Sequence, residues 1–537
     1  MKLSASSLLD KSGWKQIQVK IPSYDIQKMK ERTKEAPVWV HFGSGNFFRG
    51  FIAPLAQGLL ELGELNQGIV TVSTYNQDII HRIYEPYDNL ILRVLLGADG
   101  ALEREVIASV AEAIPLDQKE PSTWQRLEEI FQNPSLQLAS LTITEKGYAL
   151  KDGSGNLLPS VKEDIENGPG KATHAMGILA GMLYSRYLAG EYPIAVVSMD
   201  NCAENGTRLG NGMREMAKAW EENGLVDKGF LAYLEDESKV TTPWTMVDKI
   251  TPRPDEGVAK ELANLGIEEM EPMVTSKSTY IAPFVNAERP EYLVIEDKFP
   301  AGRPPLEQVG VYLTDRETVS KTERMKVTTC LNPLHTAMSV YGCLLGFTRI
   351  SQEMKDPEIV ALIRRLGYVE GLPVVVDPGI ISPREFLDEV VGQRLPNPFM
   401  PDAPQRIATD TSQKVGIRFG ETIKSYQSKG MDLDDLVAIP LAIAGWLRYL
   451  LAIDDKGQKM DVSPDPLLEE LQGKLEGVIW NNPKSYEGQI RQILENPVIF
   501  GSDLTNISLG EKIEEMFIQL LVGPGAVRAT LQKYLME

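Results

Sequence analysis

The chain has 537 residues, with 55 Lys and Arg against 75 Asp and Glu, and carries a formal net charge of −20. This length exceeds the roughly 250–300 residues at which one hydrophobic core stops growing, so we expect two domains. The excess of acidic residues argues against a nucleic-acid partner, because such binding depends on Lys and Arg side chains that neutralise phosphates. A local basic pocket is still compatible with this charge.

Cysteine spacing and apolar runs bear on the location of the protein. The three cysteines stand outside any CxxC spacing, so neither a disulfide framework nor a zinc cluster is predicted. The N-terminal segment reaches Asp10 and Lys11 before an apolar run of signal-peptide length develops. The longest apolar run, residues 436–447, contains Pro440 and falls short of the ~20 residues that span a bilayer. We therefore expect a soluble, cytoplasmic protein with no membrane partner.

The first informative elements follow a polar segment, residues 1–35, which is predicted to form an N-terminal arm. Residues 38–42 are a short apolar run that predicts a strand, a glycine-containing turn covers residues 43–49, and residues 51–62 have helical periodicity. A second buried strand is predicted at residues 68–74. Together these segments have the length of a right-handed crossover and predict the first βαβ unit of a dinucleotide-binding fold.

Strands and helices continue to alternate in the N-terminal part of the chain. Strands are predicted at residues 138–144, 194–199 and 292–296, with a long helix at residues 171–189 between the first two. Because the two kinds of element alternate, the sequence predicts an α/β sheet.

The C-terminal part is predicted to be mainly α-helical. Helical patterns occupy residues 319–347, 356–366, 383–391, 414–428, 433–452, 466–475, 486–495 and 509–521. The Pro-rich stretch 299–305 is the predicted junction, since proline ends elements and stiffens connections. The predicted domains are a dinucleotide-binding domain with its arm over residues 1–300 and a helical domain over residues 301–537.

The glycine turn is a candidate phosphate-binding loop. Gly43 and Gly45 allow the backbone to turn tightly and approach a pyrophosphate, and the following helix N-terminus offers free N–H donors. Two features depart from the GxGxxG pattern: Phe48 occupies the third glycine position, and the tip of the second strand, residues 73–76, has no Asp or Glu. On this motif alone, dinucleotide binding and an ordinary strand-to-helix turn are about equally favoured.

Four further segments follow in order: residues 142–148, 198–206, 246–252 and 323–335. Together with the glycine turn they resemble the polyol-specific long-chain dehydrogenase family, whose members act on mannitol, fructuronate or tagaturonate. The opening motif of that family, G-x-G-x-F-x-R, is matched at Gly43, Gly45, Phe47 and Arg49. The resemblance covers roughly residues 36–420.

The resemblance implies a Rossmann-like N-terminal domain, a mainly helical C-terminal domain and a metal-independent hydride transfer between NAD(H) and a ketose or polyol carbon. The catalytic residues that it implies are Lys326 as the acid/base, Asn201 and Asn332 at the carbonyl oxygen, His335 at the substrate oxygens, and Glu323 on the proton path. The implied cofactor contacts are Gly43, Gly45, Asn46, Phe47, Arg49, Thr144 and Asp200. The implied substrate contacts are Asp248, Arg406 and Lys414.

These residue types suit the reduction of a ketone, which needs hydride on carbon and a proton on oxygen. A buried lysine ammonium is disfavoured as a cation, which suits an acid that must work near neutral pH. Amide N–H groups of two asparagines can stabilise a developing alkoxide without a metal ion. Taken singly, each residue has an ordinary structural explanation: Lys326 and Glu323 could be a surface pair on a helix, and Asn201 could form an Asx-turn. Their joint occurrence within the motifs favours function.

One departure from the family pattern has a structural consequence. The family spacing is Lys-x4-Asn-x2-His, whereas one extra residue separates Lys326 from Asn332 here. On an ideal helix of about 3.6 residues per turn, Lys326 and His335 would lie about 180° apart. A one-residue π-bulge at residues 328–331 would restore the register, and Pro333 also favours an irregular helix. We therefore predict a non-ideal helix between Lys326 and Asn332.

The substrate class follows from charge and from the resemblance. A hexuronate carries a carboxylate, which favours a cation in the pocket, with Arg406, Lys414, Lys326 and Arg49 as candidates. The favoured reaction is D-fructuronate to D-mannonate, followed by the tagaturonate reaction and then by that of mannitol and fructose. An NAD-dependent hexuronate epimerase and a sugar-sensing protein are open alternatives of another class.

The choice of NAD as cofactor is taken from the family, and NADP remains compatible with the sequence because His81 or Arg82 could accept its 2′-phosphate. The sequence does not distinguish a monomer from a small homo-oligomer.

Overall fold

The computed structural model describes residues 1–536. Its strands are β1 (Val19–Lys20), β2 (Trp39–Phe42), β3 (Ile69–Ser73), β4 (Ile91–Leu96), β5 (Leu102–Ile107), β6 (Val110–Pro115), β7 (Leu138–Leu141), β8 (Ile194–Ser198), β9 (Val240–Thr241), β10 (Thr245–Asp248), β11 (Met273–Val274), β12 (Tyr280–Ile281), β13 (Phe284–Glu288), β14 (Tyr292–Glu296) and β15 (Tyr312–Thr314).

Ten of the α-helices described precede residue 300. They are α1 (Lys11–Gln16), α2 (Ile26–Glu35), α3 (Ala53–Leu62), α4 (Asp78–Ile83), α5 (Pro121–Gln132), α6 (Pro159–Asn167), α7 (Ala175–Gly190), α8 (Asn205–Glu222), α9 (Gly229–Glu235) and α10 (Glu256–Asn264).

The later α-helices begin at residue 316 and run almost to the end of the described chain. They are α11 (Arg316–Met325), α12 (Asn332–Leu345), α13 (Ile350–Glu353), α14 (Pro357–Arg364), α15 (Pro383–Glu389), α16 (Pro404–Ile407), α17 (Glu421–Ser428), α18 (Ala438–Tyr449), α19 (Leu468–Lys474), α20 (Arg491–Leu494), α21 (Pro497–Phe500), α22 (Ser508–Leu520) and α23 (Ala526–Leu535). Within residues 1–536, no helix is both long and apolar enough to cross a membrane.

The contacts divide the chain into two compact units. The first comprises residues 1–97 and 101–319, and the second comprises residues 98–100 and 320–537. The division therefore falls within α11. The sequence-based boundary at residue 300 stays a prediction.

The main sheet of the first unit has six strands in the order β6-β3-β2-β7-β8-β9, and every neighbouring pair is parallel. Numbered along this sheet alone, the order is 3-2-1-4-5-6, which is typical of a Rossmann fold. The predicted βαβ unit is confirmed, since β2 and β3 are parallel neighbours joined through α3. The predicted α/β class is confirmed as well.

Both faces of this sheet are buried, as expected for parallel strands covered by helices. Alternate residues of β2 belong to different apolar clusters, because successive side chains of a strand point to opposite faces. Val40 and Phe42 contribute to the cluster that contains helices α5, α7 and α8. Trp39, which precedes Val40 and so points to the opposite face, contributes to the cluster that contains α3. The carboxyl ends of the strands are therefore held on a rigid core.

The polar segment 1–35 is not a simple arm. It forms α1, β1 and α2, and β1 pairs in parallel with β5 of a second sheet. Leu3 and Trp14 are fully buried, and Met29 is nearly so. A few apolar residues are enough to attach this segment to the first unit. Because the rest of the segment is polar, its average composition predicted an arm instead.

The second unit is mainly helical, as predicted. The forecast of a helix over residues 486–495 is largely wrong, because only Arg491–Leu494 is α-helical there. Gly488 has a φ of +98°, a backbone conformation that a helix does not use. Three helices of this unit end or begin in wide π turns, at Arg365–Gly371, Val390–Arg394 and Gly416–Gly420.

Glu353 is a buried acid at the end of α13. Its side chain is fully buried, and neither carboxylate oxygen has a hydrogen-bond partner within the described chain. Burial first, and Asp356 second, raise the pKa of Glu353 to about 9. The carboxyl group is therefore neutral at pH 7 in the folded protein, whereas it is ionised at that pH when the chain unfolds.

We expect Glu353→Gln to stabilise the protein at neutral pH. A raised carboxyl pKa makes the folded state less stable as pH rises from about 4.5 towards 9, and a neutral amide removes this dependence. The gain in free energy of unfolding should be about 3 kcal/mol at pH 7 and should shrink as the pH approaches 4.5. Urea unfolding at pH 5 and pH 7.5 measures it, with the exposed Glu469→Gln as control. An equal gain at both pH values would contradict the assignment.

Candidate functional site

The glycine turn lies where the strand order of the main sheet reverses. β2 and β7 are neighbours there, and the chain leaves them in opposite directions, which opens a crevice at their carboxyl ends. Gly43 directly follows β2 with a φ of +116°, and a Cβ atom on it would lie 2.5 Å from the carbonyl oxygen of Thr142, which follows β7. Only glycine suits both this conformation and this approach. A Cβ on Gly45 would meet nothing within 4 Å, so this side of the turn is open.

The chain becomes helical at Asn46, immediately after the open glycine. Asn46 and Phe47 are half-buried, and the helix continues through the π turn Phe48–Ile52 into α3. A helix N-terminus directly after an open glycine turn is suited to bind a pyrophosphate, since its first N–H groups have no partner within the helix.

Arg49 is fully buried on this helix. Its Nη2 donates a hydrogen bond to the carbonyl oxygen of Pro283 at 2.6 Å, and its guanidinium carbon lies 6.0 Å from the centre of the Tyr84 ring. Nε and Nη1 have no partner in the described chain, and burial lowers the pKa of Arg49 to about 10. The Arg49 side chain is thus directed into the interior, towards Pro283 and Tyr84, and its role as a cofactor contact stays a prediction.

Asp200 organises the loop that follows β7. Its carboxylate accepts hydrogen bonds from the backbone N–H groups of Ile143 and Thr144, at 2.9 and 3.1 Å, and from the Tyr148 hydroxyl at 2.5 Å. Burial is the largest influence on the pKa of Asp200 and raises it. Thr144 has φ +68° and ψ 156°, a conformation that is sparsely populated by residues other than glycine. Such strained residues cluster at binding sites, which fits the predicted role of Thr144.

Asn205, the first residue of α8, connects two strand ends and was not identified from the sequence. Its side-chain amide donates to the Asp200 carbonyl oxygen at 3.0 Å and to the Thr245 hydroxyl at 2.8 Å, and its oxygen accepts from the Thr245 N–H at 3.0 Å. A Cβ on Gly206 would lie 2.3 Å from the Thr242 carbonyl oxygen. The Asn-Gly pair at a helix start was the signal that could have revealed this close approach.

The end of β3 borders a cavity of about 410 Å³. Thr74, Tyr75 and Gln77 line it on one side and residues 116–119 on another, and Lys277 lies 5.2 Å from the Tyr75 ring centre. Both contributing loops follow strands of the main sheet on the side of β2 opposite to β7. The cavity offers hydroxyl, aromatic and ammonium groups, and can hold the adenosine part of a dinucleotide.

In the second unit, Lys326 begins the π-helix Lys326–Cys330 and is 2% exposed. The N–H of Leu331 donates to the carbonyl oxygen of Lys326 at 3.1 Å, five residues earlier, which is the bond that defines a π turn. The Thr328 hydroxyl donates to the Arg324 carbonyl oxygen at 2.7 Å beside this turn. The predicted irregularity between Lys326 and Asn332 is therefore confirmed.

This wide turn changes the angular relation along the helix. Once it absorbs one residue, Lys326 and His335 are separated as if by eight residues, or about 80° instead of about 180°. Asn332 and His335 are half-buried on α12, and Glu323 is half-buried on α11. These groups can therefore face a common substrate.

Two other predicted site residues belong to the first unit. Asn201 is exposed directly after Asp200, and Asp248 is a buried residue at the end of β10. The roles of all these residues stay predictions.

The two predicted substrate cations differ in their surroundings. Arg406 is 69% exposed and pairs with Asp402, so its charge is already neutralised by a neighbour. Lys414 is half-buried and donates to the carbonyl oxygens of Thr409 and Ile407. Burial, then Arg418, lowers the pKa of Lys414. Of the two, Lys414 has the environment more typical of a binding site.

No group of three or more His, Cys, Asp or Glu residues in the described chain is arranged to hold a metal ion. The parallel sheet and its glycine turn define a Rossmann-type dinucleotide-binding protein. A family model for the mannitol dehydrogenase Rossmann domain matches residues 37–308, and one for the mannitol dehydrogenase C-terminal domain matches residues 318–521. The chain belongs to the mannitol dehydrogenase family, which confirms the resemblance seen in the motifs.

Individual relatives agree with this assignment. The chain is 52% identical over 536 residues to a D-mannonate oxidoreductase from Thermotoga maritima, a match covering 99% of each chain. The mannitol 2-dehydrogenase of Pseudomonas fluorescens, solved in ternary complex with NAD and D-mannitol, is similar with a TM-score of 0.69, 26% identity and 100% of both chains covered. A D-sorbitol dehydrogenase in substrate-free form is similar with a TM-score of 0.78 and 25% identity, over 96% of this chain and 97% of that one.

We expect Gly43→Ala to weaken NADH binding by roughly 10-fold or more, because the added methyl group meets the Thr142 backbone in a strained conformation. Gly63→Ala is the matched control, since Gly63 also has a positive φ of +74° but a Cβ there meets nothing within 4 Å. A fluorescence titration with NADH measures both. Equal affinities of the two variants would contradict a special role for the turn.

Proposed function

We propose that this protein is an oxidoreductase that transfers hydride between NAD(H) and a hexuronate ketone, reducing D-fructuronate to D-mannonate without a metal ion. The observation that carries the proposal is the 52% identity to a D-mannonate oxidoreductase along nearly the whole chain. The π turn at Lys326 supports it, because it corrects the one spacing that departs from the family pattern.

The residues of the first unit fit a dinucleotide. Gly43 and Gly45 would admit the pyrophosphate against the N–H groups at Asn46 and Phe47. Thr144, held by Asp200, would contact the cofactor from the loop after β7. The cavity beside Tyr75 would take the adenosine. Residues 73–76 contain no Asp or Glu that would exclude the 2′-phosphate of NADP, so the choice of NAD rests on family membership alone. When bound, the reduced nicotinamide supplies the hydride.

The catalytic residues would manage the proton and the developing negative charge. Lys326 is buried and would donate its proton to the carbonyl oxygen as that oxygen becomes an alkoxide. Asn201 and Asn332 would donate N–H groups to the same oxygen, which stabilises charge that is larger in the transition state than in the substrate. His335 would orient the substrate hydroxyls, and Glu323 would return a proton from water to the lysine. Asp248 would bind a substrate hydroxyl.

The direct test is to follow NADH absorbance with D-fructuronate, D-tagaturonate and D-fructose, each with and without EDTA. We expect the highest kcat/KM for D-fructuronate, no effect of EDTA, and lower activity with NADPH. Sugar conversion without stoichiometric NADH consumption would favour an epimerase. Absence of any turnover would favour a sugar-sensing protein, and a preference for tagaturonate or fructose would replace the proposed substrate.

Lys326→Met should lower kcat/KM for D-fructuronate by about 10²- to 10⁴-fold, because it removes the general acid. NADH affinity should be unchanged, since the predicted nucleotide site belongs to the other unit. The exposed Lys429→Met is a matched control and should keep wild-type activity. Loss of less than tenfold, or equal loss in both variants, would remove Lys326 from the mechanism.

The cytoplasmic location, the absence of nucleic-acid and membrane partners, and a monomeric or small homo-oligomeric state stay predictions. The net charge of −20 supports the predicted absence of a nucleic-acid partner, because most of the surface would repel a polyanion.

A further inference from the structure

The second unit holds a half-buried arginine that the sequence motifs did not single out. Arg418 lies in the π turn Gly416–Gly420, and burial lowers its pKa to about 10 with no acidic residue contributing to the shift. A guanidinium has five N–H donors. Arg418 uses one of its nitrogens, Nη1, to donate to the Thr336 hydroxyl.

Two fully buried arginines of the chain, Arg186 and Arg448, are bonded quite differently. The guanidinium of Arg186 makes five hydrogen bonds to backbone carbonyl oxygens, at 2.6 to 3.0 Å. That of Arg448 donates to three carbonyl oxygens, at 2.7 to 3.3 Å. Both groups are therefore satisfied by the protein as structural arginines should be. Arg418 is half-buried, less buried than Arg186 and Arg448, and its guanidinium makes one hydrogen bond, to Thr336.

The remaining donors of Arg418 are accessible. Within residues 1–536, buried nitrogens without a partner occur on Arg49, for example, but none belongs to Arg418. Its free N–H groups therefore reach space that a ligand can enter. A half-buried guanidinium with open donors is suited to bind a carboxylate through two parallel hydrogen bonds.

The position of Arg418 connects it to the predicted catalytic helix. Thr336, its partner, directly follows His335 on α12, and the Thr336 hydroxyl also bonds to the Asn332 carbonyl oxygen at 3.2 Å. On its own segment, the N–H of Arg418 bonds to the Lys414 carbonyl oxygen at 2.9 Å, and its charge contributes to lowering the pKa of Lys414. Arg418 therefore lies between two groups of predicted substrate contacts.

We propose that Arg418 binds the carboxylate of the hexuronate and so determines the preference for a sugar acid over an uncharged ketose or polyol. This inference rests on the proposed function. Arg406 is a weaker candidate because Asp402 already neutralises it, and Lys414 is weaker because two carbonyl oxygens occupy its ammonium group.

The test compares Arg418→Met and Arg418→Lys with the wild type in D-fructuronate reduction. Because the carboxylate is remote from the reacting carbon, Arg418→Met should raise KM about 10- to 150-fold and change kcat little. Arg418→Lys should raise KM less, since it keeps the charge but loses the fork geometry. The inhibition constant of D-mannonate should rise with KM, while that of uncharged D-mannitol should not, which also shows that the variant is folded.

The exposed Arg364→Met, at the end of α14, is the matched control and should behave as wild type. An Arg418→Met variant whose KM for D-fructuronate changes less than threefold would overturn the proposal, as would a variant that loses D-mannitol and D-mannonate binding equally. Wild-type protein that fails to reduce D-fructuronate would instead contradict the proposed function, before any variant is compared.

Discussion

The structure of the nucleotide-binding unit depends on the close approach of two backbones at the centre of its sheet. The loop after β2 passes so near the Thr142 carbonyl oxygen that position 43 has no room for a Cβ. That carbonyl belongs to a loop which Asp200 fixes through two N–H groups, and Asp200 is in turn held beside Asn205. The turn, both strand ends and the strained Thr144 therefore form one connected arrangement.

Much of this could be predicted from the sequence because the relevant signals are local. Apolar strand patterns separated by a glycine turn predict a βαβ unit, and the extra residue before Asn332 predicts a helical irregularity, which the π turn Lys326–Cys330 confirms. The predicted N-terminal arm was inaccurate because a few buried side chains decide whether a polar segment is attached, and average polarity does not reveal them.

Asn205 and Arg418 escaped the sequence analysis for a different reason. Their importance comes from partners that are distant along the chain, Thr245 in one case and Thr336 in the other. A sequence shows that an asparagine or an arginine is present, but not whether its donors are used. For Arg418 the informative property is the small number of its hydrogen bonds, which only comparison with Arg186 and Arg448 makes visible.

The wide π turn at Lys326–Cys330 is accompanied by a side-chain hydrogen bond, from the Thr328 hydroxyl to the Arg324 carbonyl oxygen. Threonine hydroxyls that bond back one turn bend helices. The helix that carries the proposed acid is thus shaped by a side chain, Thr328, that has no predicted role in catalysis. An insertion of one residue, which in a regular helix would rotate everything beyond it away from the substrate, becomes tolerable where such a group lets the backbone widen. A change in chain length can in this way be neutral for chemistry.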